Sequence, residues 1–182
     1  FGNCMRVAST VVSGDLDYYL ALPADPLIHL IVSRTSFSAW GDVLSGLGIF
    51  LLLVPGSLSM LPMFLLCALM GTLTFVGFSV LVGSLVFFVQ QSQDITGHLY
   101  NAMISFSLYP IDIFPGAVRL VLYTLIPAAM VGAVPAKLLF EFSWAWLIAL
   151  AGFSVLITIV SRAVFYLGLR RYESGNRVTV RG

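Results

Sequence analysis

The feature that most constrains this chain is a long stretch without a charged side chain. Residues 43–93, 51 positions in succession, contain no Asp, Glu, Lys or Arg. A helix needs about 20 apolar residues to cross a bilayer, so this stretch can hold two crossings and the turn between them. Another 20 uncharged residues lie between Glu141 and Arg162. The pattern therefore predicts an all-α integral membrane protein.

The composition excludes an ordinary soluble domain. Hydrophobic residues make up 59% of the chain and charged residues only 9%, whereas soluble domains carry roughly 25% charged residues. The net charge of +1 gives no indication of nucleic-acid binding. Cys4 and Cys67 stand alone in the sequence, so neither a disulfide nor a metal site is predicted. We expect most of the surface to face a lipid bilayer.

Proline, glycine and polar residues divide the chain into about four spanning helices. The predicted crossings are residues 27–54 (or from residue 31), 61–89, 95–108 and 142–169, separated by a Pro-Gly-Ser break at 55–57 and polar turns that include 90–94. Residues 31–169 form the predicted transmembrane domain. They are followed by a basic tail at residues 170–182.

The first 30 residues are predicted to end a preceding helix and to form a turn. Gly14 is expected to stop that helix, and Asp15 is expected to cap a short helical turn. Pro23 and Pro26 exclude a regular helix through the stretch that follows. Because the sequence begins at Phe1 without Met, we expect that part of the protein precedes it.

Prolines change the pattern again between the third and fourth predicted crossings. Pro110, Pro115, Pro127 and Pro135 interrupt an otherwise apolar stretch. Broken helices at membrane depth persist only where protein or a water-filled cavity satisfies their backbone groups. We therefore predict a re-entrant or interfacial hairpin at about residues 110–136 rather than a fifth crossing.

Arginines set the predicted orientation in the membrane. Arg170, Arg171, Arg177 and Arg181 follow the last predicted helix, and Lys and Arg flanking spanning helices favour the cytoplasmic side. The C-terminus is therefore expected in the cytoplasm. Four crossings then place the turn within residues 1–30 on the same side, and the hairpin on the outside.

Asp42 and Arg162 are charges that the predicted helices carry into the membrane. Both lie at comparable depth, where an ionised side chain is costly and usually paired. We predict a structural Asp42–Arg162 ion pair. A contact between Asp42 and Arg34, or a role for Asp42 in a polar pathway, remains open.

Catalytic machinery is not apparent in the sequence. His29 and His98 lack a second His, Cys or carboxylate at ligand spacing, and no Gly-rich phosphate-binding loop of the GxxxxGK[ST] kind occurs. We predict no catalytic residue, metal or cofactor in this chain. If ATP drives the protein, another chain hydrolyses it.

Three stretches in order along the chain carry a family resemblance. They are Ser13-Gly14-Asp15-Leu16-Asp17-Tyr18-Tyr19-Leu20 with Pro23 and Pro26-Leu27; Tyr109-Pro110-Ile111-Asp112-Ile113-Phe114-Pro115 with Arg119, Ile126-Pro127 and Val134-Pro135-Ala136; and Gly168-Leu169-Arg170-Arg171-Tyr172-Glu173-Ser174. Together they resemble permease subunits of type-2 ABC exporters, in the bacterial branch whose ATPase is a separate subunit. That family normally has two further spanning helices before the first stretch, which implies six in the complete subunit.

The resemblance implies a transport mechanism. Such a permease pairs with a second identical or related permease in the bacterial inner membrane and docks on two copies of an ATPase that binds ATP and Mg. The implied ATPase-coupling residues are Gly14, Asp15, Leu16, Asp17, Tyr18, Tyr19, Leu20, Pro23 and Pro26. The implied outer hairpin residues are Tyr109, Pro110, Asp112, Pro115, Arg119, Pro127 and Pro135. An intramembrane enzyme and a non-transporting accessory membrane protein remain the alternatives.

Overall fold

The computed structural model describes residues 4–34, 37–89 and 93–172, and all regular secondary structure within these ranges is helical. Ten α-helices are formed by the described residues: α1 (Val7–Ser13), α2 (Leu16–Leu20), α3 (Pro26–Val32), α4 (Phe37–Leu53), α5 (Ser57–Gly83), α6 (Gln93–Ser107), α7 (Gly116–Thr124), α8 (Ala128–Val131), α9 (Ala133–Phe140) and α10 (Trp144–Leu169). Short 3-10 turns occupy Cys4–Arg6, Ser84–Phe87 and Ile111–Ile113. The predicted all-α class is confirmed.

Two long helices, α5 and α10, form the axis of the molecule. With its 3-10 extension α5 spans 31 residues and α10 spans 26 residues, and each contains an 18-residue stretch whose mean hydropathy is above 2. Either is long enough to cross a bilayer. Their positions agree with the predicted crossings at residues 61–89 and 142–169. Among the described residues, the count of candidate spans is two, or up to four if each bent helix pair is one span.

The contacts between α5 and α10 show that the two helices run in the same direction. Ser154 Oγ donates to the Met70 sulfur at 3.1 Å, and the ring centroids of Phe87 and Phe165 are 5.7 Å apart. Residue numbers thus rise together along both helices. Since two parallel spans cannot follow each other directly, the chain between them must return across the membrane an odd number of times.

A glycine on α5 permits this close packing. A Cβ built on Gly77 would lie 3.0 Å from the Ile157 side chain and 3.3 Å from its carbonyl carbon. These distances are tighter than an ordinary van der Waals contact. The two helix backbones approach each other here because Gly77 carries no side chain.

Burial along α5 is uneven. Its buried residues are Cys67, Gly71, Thr74, Gly77, Phe78, Ser79, Val80, Val82 and Gly83. Only Cys67 lies in the first half of the helix. The half that begins at Ser57 instead exposes large apolar side chains, including Leu58, Leu65 and Leu69. The core is therefore concentrated toward the Phe87 end of α5.

The first predicted crossing is not one continuous helix. The chain forms α3 and α4 as separate helices whose axes differ by 75°. Pro26 occupies the first turn of α3, and the Asp25 side chain caps it by accepting hydrogen bonds from the backbone N–H groups of Leu27 and Ile28, both at 3.1 Å. These two start signals begin a short helix of its own. The prediction of a single helix from residue 27 to residue 54 is wrong.

The third predicted crossing corresponds to α6, which has 15 residues. At 1.5 Å per residue such a helix is about 22 Å long, less than the roughly 30 Å of a hydrocarbon core. The Tyr100 hydroxyl donates to the Ser79 carbonyl oxygen at 3.0 Å, which fixes α6 against α5. The position of this helix was predicted, but its length falls short of a full crossing.

The proline-rich segment leaves the end of α6 and returns to it. The backbone of Gly132 lies against the carbonyl oxygen of Ser107, so close that a Cβ would overlap it. Between these residues lie a 3-10 turn, α7 and α8, and the axes of α7 and the α8–α9 unit differ by 64°. Pro110, Pro115 and Pro127 each immediately precede a helix.

Pro135 departs from the pattern of the other prolines. It lies in the first turn of α9, where a missing N–H costs little, and it does not interrupt that helix. The prolines therefore bend the segment at three places rather than four.

Candidate functional site

The end of the bundle where α5 and α10 finish carries the two short helices α2 and α3. Gly14 ends α1 in the left-handed conformation, with φ of 81°, as the sequence predicted. The Gly14 N–H donates to the Val11 carbonyl oxygen at 3.3 Å. Because residues that carry a side chain rarely adopt this backbone conformation, a glycine at position 14 allows α2 to follow α1 directly.

Asp15 does not cap α2 in the way the sequence suggested. It occupies the N-cap position but makes no side-chain hydrogen bond to the helix. Its Oδ2 instead accepts a hydrogen bond from the Ser13 hydroxyl at 2.8 Å. The backbone of Asp15 is already helical, and the N–H groups of Asp17 and Tyr18 donate to the carbonyl oxygens of Gly14 and Asp15. The predicted capping role is therefore wrong.

An apolar core holds α2 and α3 against the spanning helices. Leu16 of α2 and Leu30 of α3 are fully buried, and they pack in one cluster with Phe165 of α10 and Val80 of α5. Fully burying a side chain of this size contributes about 1.5–3 kcal/mol. The two short helices are therefore a fixed part of the bundle.

Asp25, which the sequence reading passed over, is the polar centre of this region. Besides capping α3, its Oδ2 accepts a hydrogen bond from Arg162 at 2.6 Å and its Oδ1 accepts one from the Tyr166 hydroxyl at 2.7 Å. The Arg162 guanidinium also lies 5.2 Å from the centroid of the Tyr166 ring. We call these three side chains, Asp25, Arg162 and Tyr166, the Asp25 link.

The electrostatics of Asp25 follow from these contacts. Partial burial raises the pKa of its carboxyl group, but the hydrogen bonds from Tyr166, the Ile28 N–H and Arg162, together with the Arg162 charge, outweigh burial and hold the pKa below the ordinary value of 3.8. Asp25 is consequently a carboxylate at neutral pH.

The predicted ion pair between Asp42 and Arg162 is not formed. Arg162 pairs with Asp25 instead, because α3 folds back over the end of α10. Asp42 is exposed on α4, and in the described part of the chain it makes no ion pair with Arg162 or with Arg34.

Tyr18, Tyr19 and Leu20 are consecutive residues of the implied coupling segment, and they differ in exposure. Tyr18 is 65% exposed and Leu20 41% exposed. Tyr19 is half-buried: its hydroxyl lies 3.2 Å from the Ser33 hydroxyl, and its ring packs edge-on against His29 with centroids 5.5 Å apart. Tyr19 therefore joins α2 to α3 rather than facing outward.

Several apolar side chains on α2, on α3 and in the turn between them are exposed, and we call this surface the α2–α3 face. It comprises Tyr18, Leu20, Pro23, Ala24, Ile28 and Val32. A shallow groove of about 530 Å³ lies beside it, lined in part by Ala24 and His29. Asp15 and the partly exposed Asp17 lie on the same short segment, so an apolar centre has acidic neighbours.

The chain after α10 also reaches this end of the molecule. The Arg171 guanidinium lies 5.3 Å from the centroid of the Phe88 ring. Burial raises the pKa of Tyr172, and the carboxylates of Asp17 and Asp15 raise it further. Residues 173–182, which include Arg177 and Arg181, lie outside the described residues, as do residues 90–92 of the predicted polar turn.

The predicted hairpin residues follow α6 in the chain, beginning at Tyr109. Arg119 donates to the carbonyl oxygens of Asp112 at 3.1 Å and Phe114 at 3.3 Å, and its guanidinium lies 3.7 Å from the Asp112 carboxylate. Arg119 therefore closes the turn before α7. A mixed polar and apolar groove of about 590 Å³ follows, lined by Tyr109, Pro110 and thirteen other residues.

No group of three or more His, Cys, Asp or Glu side chains within the described ranges could hold a metal ion. His29 contacts Tyr19, and His98 is exposed on α6. The described residues at this end of the bundle combine exposed apolar surface with the Asp25 link.

These features define a multi-pass helical membrane protein with a rigid apolar patch at one end of its bundle. The sequence model for the family described as ABC-2 family transporter protein matches residues 1–176. The chain belongs to this family of membrane transporters, as the three sequence stretches indicated. A comparison with curated proteins found no match. A comparison with solved structures found none either.

Proposed function

We propose that this chain is the membrane-spanning permease subunit of an ATP-driven exporter, and that a separate ATPase docks on the α2–α3 face. Two copies of that ATPase bind ATP and Mg, and a second identical or related permease completes the pathway. Membership of the ABC-2 transporter family supports a transport subunit over an intramembrane enzyme. The protein resides in the bacterial inner membrane with its C-terminus in the cytoplasm.

The observation that carries the proposal is the exposure of large apolar side chains on a helix pair that is itself firmly held. Tyr18 and Ile28 are more than half exposed, while Leu16 and Leu30 on the same helices are fully buried. Interfaces place aromatic and aliphatic anchors at the centre and charged groups at the rim. Asp15 and Asp17 fit the rim.

The apolar surface of α4 supports pairing with other spanning helices. Trp40, Val43, Leu44 and Leu52 are all more than 60% exposed in the isolated chain. Lipid, a second permease or preceding helices of the same subunit would cover them. The second permease is therefore placed on the side of the molecule that carries α4.

Substitution of the docking face tests the proposal. Tyr18→Ala with Leu20→Ala should leave the bundle folded, because neither side chain is buried, and should lower the amount of ATPase that co-purifies with the chain in mild detergent by about tenfold or more, as loss of interface anchors does. The matched control is Leu108→Ala with Tyr109→Ala. It removes a Leu and a Tyr that are 78% and 56% exposed and that lie directly after the end of α6.

The two double variants should give opposite results. ATPase should remain with the Leu108 and Tyr109 variant and be lost from the Tyr18 and Leu20 variant. Equal retention of the ATPase by both variants would show that docking occurs elsewhere. Equal loss from both would indicate general destabilisation, which thermal melting of the purified chain detects separately.

A further inference from the structure

We propose that the Asp25 link transmits movement of the α2–α3 face to α10, so that α10 rather than α4 is the spanning helix that the docked ATPase moves. The inference rests on the proposed function for its ATPase, but the link itself is a property of this chain. Asp25 is a positioning residue: it acts through Arg162 and Tyr166 and touches no transported molecule.

The connection between α3 and α10 has both an apolar and a polar component. Leu27 and Leu30 of α3 pack in the same cluster as Phe165 of α10. Also on α10, Arg162, one turn before Phe165, and Tyr166, directly after it, both donate hydrogen bonds to Asp25. A carboxylate that accepts two side-chain and two backbone hydrogen bonds fixes the start of α3 in direction as well as in position.

The alternative route, from α3 to α4 along the chain, is poorly suited to transmission. The axes of α3 and α4 differ by 75°, so a push along α3 has only a small component along α4. Almost all of the α4 surface is also exposed, Phe50 being its only buried residue. α4 therefore has few packed contacts through which a displacement of α3 could be passed on. α10, in contrast, packs along its length against α5.

Arg162 explains why the link lies at this depth. It precedes the end of α10 by seven residues, or about 10 Å of helix, and a guanidinium at this position would otherwise lack a counter-ion in the spanning helix. Its side chain is 52% exposed, and that of Asp25 is 24% exposed. The contact therefore lies at the surface of the bundle, beside the apolar cluster that joins α3 to α10.

Hydrogen exchange of α3 tests the link without any partner. Asp25→Asn keeps a good N-cap residue but removes the charge, and Arg162→Gln removes the cation. Each should raise the exchange rate of α3 amides by about three- to tenfold. This increase corresponds to the stability lost when a partly exposed charged hydrogen bond is removed. The double variant should exchange no faster than either single variant, and Arg162→Lys should restore part of the protection.

The control for this experiment is the ion pair between Asp112 and Arg119 in the proline-rich segment. Asp112→Asn removes the acidic partner of Arg119 and should leave α3 exchange at the wild-type rate. Unchanged exchange in both Asp25→Asn and Arg162→Gln would overturn the link, whether or not an ATPase binds. Additive effects of the two substitutions would also contradict it, because partners in one interaction cannot be lost twice.

Cysteine labelling of the ATPase complex tests transmission to α10. Trp144→Cys lies at the start of α10 and Leu53→Cys at the end of α4, both at exposed positions, and the native cysteines are buried. Adding ATP and Mg should change the labelling rate at position 144 more than at position 53. Asp25→Asn should abolish the change at position 144 while the ATPase still co-purifies.

The outcomes separate the inference from the proposed function. A nucleotide response at position 53 that persists in Asp25→Asn would assign transmission to α4 and overturn the inference. A response at neither position in the unsubstituted complex would contradict the proposed function, and the exchange experiment would then still decide whether Asp25 holds α3 to α10.

Discussion

At the scale of single residues, Asp25 accepts four hydrogen bonds, although the sequence analysis did not select it. An Asp followed by Pro at a helix start is a recognisable capping signal, so its local role could have been predicted. Its contact with Arg162 could not, because the two residues are 137 positions apart and only the fold back of α3 brings them together. The predicted pair of Asp42 and Arg162 was based only on their similar depth in the membrane. Depth does not determine which charged residues lie on facing helix surfaces.

The lowered pKa of Asp25 predicts how the link depends on pH. A carboxyl group whose folded pKa is depressed contributes stability that is fully present above its unfolded pKa and is lost as the pH falls through the folded value. With the folded pKa below 3.8, the difference in melting temperature between wild type and Asp25→Asn should be constant from pH 8 down to about pH 5.

Below that range the difference should shrink toward zero as Asp25 becomes protonated. Melting of the purified chain at successive pH values, with Asp112→Asn as the matched variant, measures it. A difference that already disappears between pH 7 and pH 6 would show that another group controls this contact.

At the scale of helices, the sequence predicted positions well and continuity poorly. The lengths of α5 and α10 follow from uninterrupted apolar runs, which is why their predicted bounds agree with the structure to within a few residues. The polar run Ser-Arg-Thr-Ser at residues 33–36 lies between the apolar stretches of α3 and α4, but hydropathy carries no information about the angle between two successive helices. Of the proline-rich segment, the breaks at Pro110, Pro115 and Pro127 were readable, whereas the return to Ser107 was not.

The return of the chain at Gly132 gives a prediction for an element. The backbone of Gly132 has φ of −108°, which other residues adopt, so only the contact with the Ser107 carbonyl demands glycine there. Gly132→Ala should destabilise the bundle by about 1–3 kcal/mol because two backbones must separate. Thermal melting in detergent measures the effect.

Gly97→Ala is the control for Gly132. Gly97 lies inside α6 with nothing within 4 Å of a built Cβ, so alanine there should stabilise the helix by about 0.5–1 kcal/mol. A neutral Gly132→Ala would mean that the proline-rich segment is not held against α6 in solution.

At the scale of the whole molecule, the parallel arrangement of α5 and α10 gives the orientation a structural basis. An odd number of returns between them is met if α6, together with the chain on either side of it, makes one crossing and the proline-rich segment makes none, or if the reverse holds. We expect the first arrangement, with the α2–α3 face in the cytoplasm. Gly116→Cys should then react with a membrane-impermeant thiol reagent added to intact cells, and Ala24→Cys should react only after the cells are opened.

Both positions are exposed in the chain, so accessibility from each side decides the result rather than burial. Reaction of Ala24→Cys in intact cells would invert the orientation and exclude an ATPase from the α2–α3 face. Protection of Gly116→Cys together with labelling of opened cells at that position would place the proline-rich segment inside.

The uneven burial of α5 has a mechanical consequence. A helix that is packed more densely along one half bends more easily along the other. The densely packed half here is the end near Phe87, where α1 and α10 lie against α5. The half that begins at Ser57 keeps its apolar contacts around Cys67 but exposes more of its surface. Local opening is easiest where buried contacts are fewest, so we expect α5 to bend most at the end farthest from the α2–α3 face.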